Sequence, residues 1–289
     1  REDEVAREAG HPDNMVRLFE AALVRVDSGR RRLRDHPRGK KTNFVVRGER
    51  RSIKAAEPTG DKAAGIDLGI NVLASVAVED GTWLMYKGIR TKEDYFYFQK
   101  RISEVQRGAD LTSDPNMKEW LRRERRRLFS ALRGRLLHLY RTFAAHMIKT
   151  LHDLGVSTVY LGYPHSIAQE KGNKFTVNMW LYRELMGIIE LKAQEYGMKV
   201  YEAVEYNTSK YCAYHDKEVS RGPRGVITCP AGHRLHSDLN GALNILRVGL
   251  RHTRGVERTP EARRPLSFIV DHNGVAPIKG GNRSGLGSM

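Results

Sequence analysis

Small and β-branched residues run almost unbroken from Ala63 to Val78 ("AAGIDLGINVLASVAV"), and Asp67 is the single charge among them. Such a run predicts buried strand, where a lone carboxylate is costly unless something positive meets it. "VLASVAVEDGTWLMYKG" reads as two further strands joined by the "EDG" turn. From Asp94 to Leu154 the period becomes helical, with one interruption at "GADLTSDPN". In its second part Leu121, Leu128, Leu132, Leu136, Leu139, Phe143, Met147 and Leu151 keep one helical stripe, and Gly155 stands at the stop. "VSTVYLGY" and "MKVYEAVEY" are strands on either side of an amphipathic helix, "TVNMWLYRELMGIIELKAQEYG", and "SDLNGALNILRVGL" is a last helix. Upstream, Met15, Leu18, Phe19, Ala22, Leu23 and Val26 share a helical stripe ending near Gly29, and "NFVVRGERRSIKAAEP" is strand-like. Past Arg251 the periodicity is lost and Gly, Pro and Arg accumulate, which predicts a mostly disordered basic tail.

A three-strand meander followed by crossover strands is the RNase H-like arrangement: α/β, a mixed sheet covered by helices. A long helical insertion and a small Cys/His insert complete the predicted fold. The expected divisions are 1–62 (helix and strands), 63–90 (first strands), 91–155 (Arg-rich helices), 156–206 (the rest of the sheet), 207–236 (Cys/His insert), 237–250 (final helix) and 251–289 (tail).

Charge sharpens this picture. Fifty Lys and Arg against 34 Asp and Glu leave a formal net charge of +16, and the excess is clustered, as a polyanion-binding protein requires. "LRRERRRLFSALRGR" places Arg122, Arg125, Arg126 and Arg133 outside a Leu stripe, suited to phosphate by their planar forks. Lys171 and Lys174 in "QEKGNKF" are further candidates, and Tyr95, Tyr97 and Phe98 either stack on bases or half-bury in the helix. Two cysteines argue against a secreted disulfide scaffold, and no apolar stretch reaches membrane-spanning length.

A hard cation at Asp67 needs more carboxylates. Asp238, at the amino end of the last helix, is the next candidate, with a simple helix cap as its competing role. "CAYHDKEVSRGPRGVITCPAGH" offers Cys212, His215, Cys229 and His233 as a tetrahedral Cys₂His₂ site for structural zinc, with His236 as an alternative fourth ligand and a metal-free remnant as the other reading.

"GIDLGINVLAS", "NTSKYC" and "SDLNGALNIL", in this order, resemble the three landmarks of the transposon-encoded TnpB nucleases, the OrfB group related to type V CRISPR effectors. The match runs from roughly Phe44 to Arg247. The resemblance implies an RNA-guided, Mg²⁺- or Mn²⁺-dependent DNA endonuclease with a RuvC-like site, a guide RNA from the transposon end and a double-stranded DNA target. It implies a soluble prokaryotic protein of the cytoplasm, associated with the nucleoid, and leaves the oligomeric state open. Asp67 matches the first catalytic aspartate and Asp238 the last. The usual middle glutamate falls at Gly162, in "VYLGYP". Some relatives of that form carry it before the Thr-Ser pair, where this chain has Glu205. A nuclease-silent, repressor-like RNA-guided DNA binder and a guide-free RuvC-type resolvase are the alternatives. Only about sixty residues precede Asp67, so the recognition part expected there is reduced or incomplete.

Overall fold

The computed structural model describes residues 23–25, 56–163, 181–204, 210–256, 259–261 and 264–278. Its strands are β1 (Leu23–Arg25), β2 (Lys62–Leu68), β3 (Val72–Val78), β4 (Trp83–Lys87), β5 (Val156–Tyr163), β6 (Lys199–Val204), β7 (Ser220–Arg221), β8 (Val226–Thr228), β9 (Arg234–His236), β10 (Leu266–Asp271) and β11 (Gly274–Pro277). Among the described residues four α-helices accompany them: α1 (Ile89–Leu111), α2 (Pro115–Asp153), α3 (Tyr182–Glu195) and α4 (Ser237–Arg254).

β2, β3 and β4 form the antiparallel meander. β5 then pairs parallel with β2, and β6 parallel with β5. The eight-stranded order is β1-β6-β5-β2-β3-β4-β10-β11. Both faces of the central strands are covered, which is why their sequence is continuously apolar instead of alternating. Ile66, Leu73, Val76 and Tyr86 pack toward Phe143, Met147, Leu151 and Ile189 of α2 and α3. Ala63, Ala77, Met85 and Ala203 pack toward Ala242, Leu243 and Leu246 of α4.

Asp114 caps α2, its side chain accepting from the Asn116 amide at 2.9 Å, and Pro115 occupies the first turn. At 39 residues α2 is about 58 Å long. None of its residues before Leu128 is buried, so its first turns run beyond the sheet beside α1.

Two expectations are corrected. Leu23–Arg25 is strand, not helix, and pairs antiparallel with Tyr201–Ala203. The edge of β6 would otherwise present unpaired amides and carbonyls, and that demand overrides the local helical period. The rest of that stripe, and residues 44–55, lie outside the described residues. The disordered tail is likewise overturned at 266–277. β10 lies parallel on β4, β11 folds back on it, and Asp271 Oδ1 accepts from the Asn273 and Gly274 amides at 2.8 and 3.0 Å to form the turn. Phe268 stacks on Tyr86 at 5.0 Å and Val270 is fully buried. Residues 279–289 lie outside the described residues.

Candidate active site and metal centre

Asp67 stands at the carboxyl end of β2, half-buried, on the face that α4 covers. Its cross-strand partner is Ser75 on β3, and Ser75 in turn pairs with Met85 on β4. β2 and β5 run in register from Ala63–Thr158 to Ile66–Leu161, which brings Gly162 alongside Asp67; Gly162 pairs with Ala203 on β6. The row crossing the sheet at Asp67 is therefore Ala203, Gly162, Asp67, Ser75, Met85. Ser75 is fully buried, and its hydroxyl has no hydrogen-bond partner among the described residues.

α4 reaches this row because it carries glycine where it touches it. A Cβ on Gly241 would stand 2.5 Å from Asp67 Oδ2, so the bare helix backbone lies directly on the carboxylate. Further along, a Cβ on Gly65 would meet Ala242 O at 2.3 Å and Leu246 N at 2.5 Å, and Gly249 lies over the Tyr160 ring. The helix thus runs antiparallel to β2, with its amino end at the strand's carboxyl end. Asp238 precedes Gly241 by three residues, on the same helical face and about 4.5 Å along the axis. That places it just past Asp67.

Asp238 does not cap α4. His236 does, its Nδ1 accepting from the Asp238 amide at 3.3 Å. The Asp238 carboxylate instead accepts from Ser237 Oγ at 2.9 Å and remains partly exposed. Both aspartates lie by the amino end of α4. Two carboxylates at one strand end, open to solvent on the Asp238 side, are a donor set suited to a hard divalent cation.

Cys212, His215 and His233 offer ligand atoms that all lie within 4.8 Å of one another. Cys212 Sγ is 3.5 Å from His215 Nδ1 and 3.8 Å from His233 Nδ1, and Cys229 Sγ is 3.6 Å from His215 Nδ1. Metal–sulfur and metal–nitrogen bonds of about 2.3 and 2.0–2.1 Å at tetrahedral angles put sulfur and nitrogen about 3.6 Å apart. The arrangement can hold a metal. The second pair is one residue longer than the first, and Gly232 takes up the extra residue in the left-handed region (φ +84°). Burial pushes the Cys212 thiol up, so a thiolate there needs a cation beside it. His236, the alternative fourth ligand, serves instead as the α4 cap.

Sequence reasoning passed over what joins this group to α4. Asn240 Oδ1 accepts from the Ala213 amide at 2.9 Å, while Asn240 Nδ2 and Asn244 Nδ2 donate to Tyr211 O at 2.8 and 2.9 Å. Arg247 grips Asp216 with both Nη atoms, at 2.8 and 3.0 Å, and holds its carboxyl below the usual range. Buried asparagines four residues apart on a short-sided helix were the available signal. One helix therefore lays Gly241 on the sheet, three residues after Asp238, and presents Asn240, Asn244 and Arg247 to the Cys/His turn.

The arginines are less bare than their composition implied. Arg126 pairs with Glu119 at 3.3 Å and Arg133 with Glu184 at 3.0 Å, while Arg125 donates to Gln106. Arg122, Arg125 and Arg126 nevertheless line one cleft with Lys118 between α1 and α2. Exposed ion pairs contribute about 0–1 kcal/mol, so phosphate can displace them. Tyr95 and Phe98 are buried against α2, whereas Tyr97 is exposed. Glu205, Lys171 and Lys174 lie outside the described residues.

The OrfB_IS605 family, described as "Probable transposase", matches residues 23–168. The chain belongs to this TnpB family. The "Cas12f1-like, TNB domain" family matches residues 182–245, which include α3, the Cys/His turn and Asp238. "TnpB-like protein ORF457" of Acidianus two-tailed virus is 66% identical over 247 residues, 84% of this chain and 52% of that protein. The chain thus spans about half the length of that TnpB relative. Two solved structures are more distant. "Cryo-EM structure of the Cas12f1-sgRNA-target DNA complex" gives 18% identity and a TM-score of 0.47 over 66% of this chain and 39% of that one. "Cryo-EM structure of CRISPR-Cas12f Ternary Complex" gives 18% and 0.46 over 67% and 39%. Neither likeness carries weight at the site.

Proposed function

We propose that the chain is the nuclease part of a transposon-encoded, RNA-guided DNA endonuclease with an RNase H-like, RuvC-type centre. The observation that carries this reading is the seating of Gly241 on the Asp67 carboxylate, one helical turn from Asp238. Asp67 and Asp238 would hold Mg²⁺ or Mn²⁺, with Glu205 as the third carboxylate. When bound, such ions activate water and stabilise the leaving oxygen of a phosphodiester. The protein's own task is to fix the two aspartates on rigid elements, with the amino end of α4 directed at them. A strand period continued past Val204 would put Glu205 on the face of Ala203, whereas Glu202 pairs with Leu161, which packs on the opposite face.

The Cys/His group would hold zinc with four protein ligands, a closed and therefore structural site. Through Asn240, Asn244 and Arg247 it would fix the rotation of α4, and so the direction of Asp238. Arg122, Arg125, Arg126 and Arg133, with Lys171 and Lys174, would contact the phosphates of a guide–target heteroduplex. Such contact is indifferent to base sequence, as guided recognition requires. The six domain divisions before the tail are proposed on the same grounds. Among the described residues no helix is long and apolar enough to cross a membrane.

One observation favours a second reading. Gly162 stands beside Asp67 where the family's middle carboxylate is expected, and its β6 neighbour is Ala203. Without Glu205 in the site, the protein would bind guided DNA without cutting it. The test is to purify the protein from cells, sequence the RNA that accompanies it, and challenge the complex with a matching duplex in Mg²⁺. RNA with matched cleavage supports the endonuclease, RNA with matched binding alone supports the silent binder, and the absence of RNA refutes both.

A further inference from the structure

Ser75 is a residue of this sheet whose hydroxyl packing does not explain. It sits in the middle of β3 between Ala74 and Val76, its side chain is fully buried, and its hydroxyl has no hydrogen-bond partner among the described residues. Alanine would fill the same space without a stranded donor, as it does at Ala74 and Ala77 of the same strand. A buried hydroxyl without a partner is unfavourable, and native proteins carry few. Its position is specific. Ser75 is the cross-strand partner of Asp67, on the same face of the sheet, where directly opposed Cβ atoms stand about 4.5–5.5 Å apart. A Ser Oγ–H and an Asp carboxylate at that separation come within hydrogen-bond reach on rotation of one χ1. On the other side of Asp67, Gly162 brings no side chain, and above it Gly241 brings only backbone.

Resting on the proposed cation site at Asp67, we infer that Ser75 is the positioning residue for that carboxylate. With a cation bound, the Ser75 hydroxyl donates to the Asp67 oxygen turned toward β3 and locks the other oxygen on the ion. Carboxylates that ligate metals are held in this way by neighbouring donors. The role matters more here because Asp67 has a glycine on β5 where the family pattern places another acid. The hydroxyl without a partner is then a group prepared for the loaded state, and it touches neither substrate nor ion.

The full-length protein, with its Cys/His group saturated with zinc, is titrated with Mn²⁺ and read by electron paramagnetic resonance, and its metal-free melting temperature is recorded. Ser75→Ala is expected to weaken Mn²⁺ about tenfold while melting at the same or a higher temperature. Ser75→Thr, which keeps the hydroxyl, should restore the affinity. Asp67→Asn is the control and should abolish the site. If Ser75→Ala binds Mn²⁺ as tightly as the parent while Asp67→Asn does not, the positioning role is overturned and the cation site stands. If Asp67→Asn leaves Mn²⁺ binding unchanged, the cation site itself falls, and the role of Ser75 with it. A lower melting temperature for Ser75→Ala, not recovered by threonine, would assign the residue to packing.

Discussion

Replacing Gly241 by alanine separates the site from the fold. In the interior of α4 the substitution removes the conformational penalty of glycine, worth about 1 kcal/mol in favour of the helix. The new Cβ would stand 2.5 Å from Asp67 Oδ2, where ordinary contact begins near 3.4 Å, so the oxygen must retreat by about 0.9 Å (3.4 less 2.5). It is the far end of a side chain and can move, which keeps the cost to the fold small. Catalysis is less tolerant, since a displacement of about 1 Å at a reacting centre costs on the order of 10²-fold. Gly241→Ala is therefore expected to melt no lower than the parent and to cleave guided DNA about a hundredfold more slowly. Two alanine variants calibrate it. Gly65→Ala meets backbone at 2.3 and 2.5 Å, which cannot yield, and should destabilise by about 1–3 kcal/mol. Gly134→Ala, with nothing within 4 Å, should stabilise by about 1 kcal/mol and leave cleavage alone. Thermal unfolding and single-turnover cleavage read all three. Parental cleavage by a well-folded Gly241→Ala would refute the account of how α4 meets Asp67.

Other outcomes follow from the same geometry. Glu205→Gln should lose cleavage by orders of magnitude and keep guide and target binding; parental cleavage would dismiss Glu205 as the third carboxylate. Cys212→Ser should release one zinc per chain in elemental analysis and lower cleavage, because the turn that Asn240 and Asn244 hold would loosen. A native protein without zinc would refute it. Arg122→Ala with Arg126→Ala should weaken binding to all sequences alike and flatten the salt dependence by about 0.7–0.9 per lost phosphate contact; an unchanged slope would place both in solvent. His146 contacts Tyr86 Oη at 3.1 Å, and burial, then Lys149, lowers its pKa. The unfolded chain then binds more protons, so this contribution is full above about pH 6.5 and is lost on acidification. His146→Gln should flatten the fall in melting temperature below that pH.

Much of the fold was legible because both faces of the central strands are buried and the helices carry long stripes. β5 is Val156–Tyr163, the very segment read as strand, and α2 ends one residue before the predicted limit at Leu154. The errors share a cause. Leu23–Arg25 and Leu266–Asp271 are short segments whose structure comes from a neighbouring edge strand, a demand that local periodicity does not contain. At the site, Asp67 announced itself as the single charge in an apolar run, and the Cys and His residues by their spacing. Ser75, Gly241 and Asn240 did not, because their meaning lies in what they face across the sheet and beneath the turn. The cap, the competing role for Asp238, is taken instead by His236.

The most direct test of the centre is cleavage of a guide-matched plasmid in Mg²⁺ by the parent, Asp67→Ala and Asp238→Ala, each purified with the same RNA and shown to bind the target. A centre built on both aspartates predicts cleavage by the parent, none by either variant, and equal binding by all three. Cleavage that survives in Asp67→Ala or Asp238→Ala would contradict it.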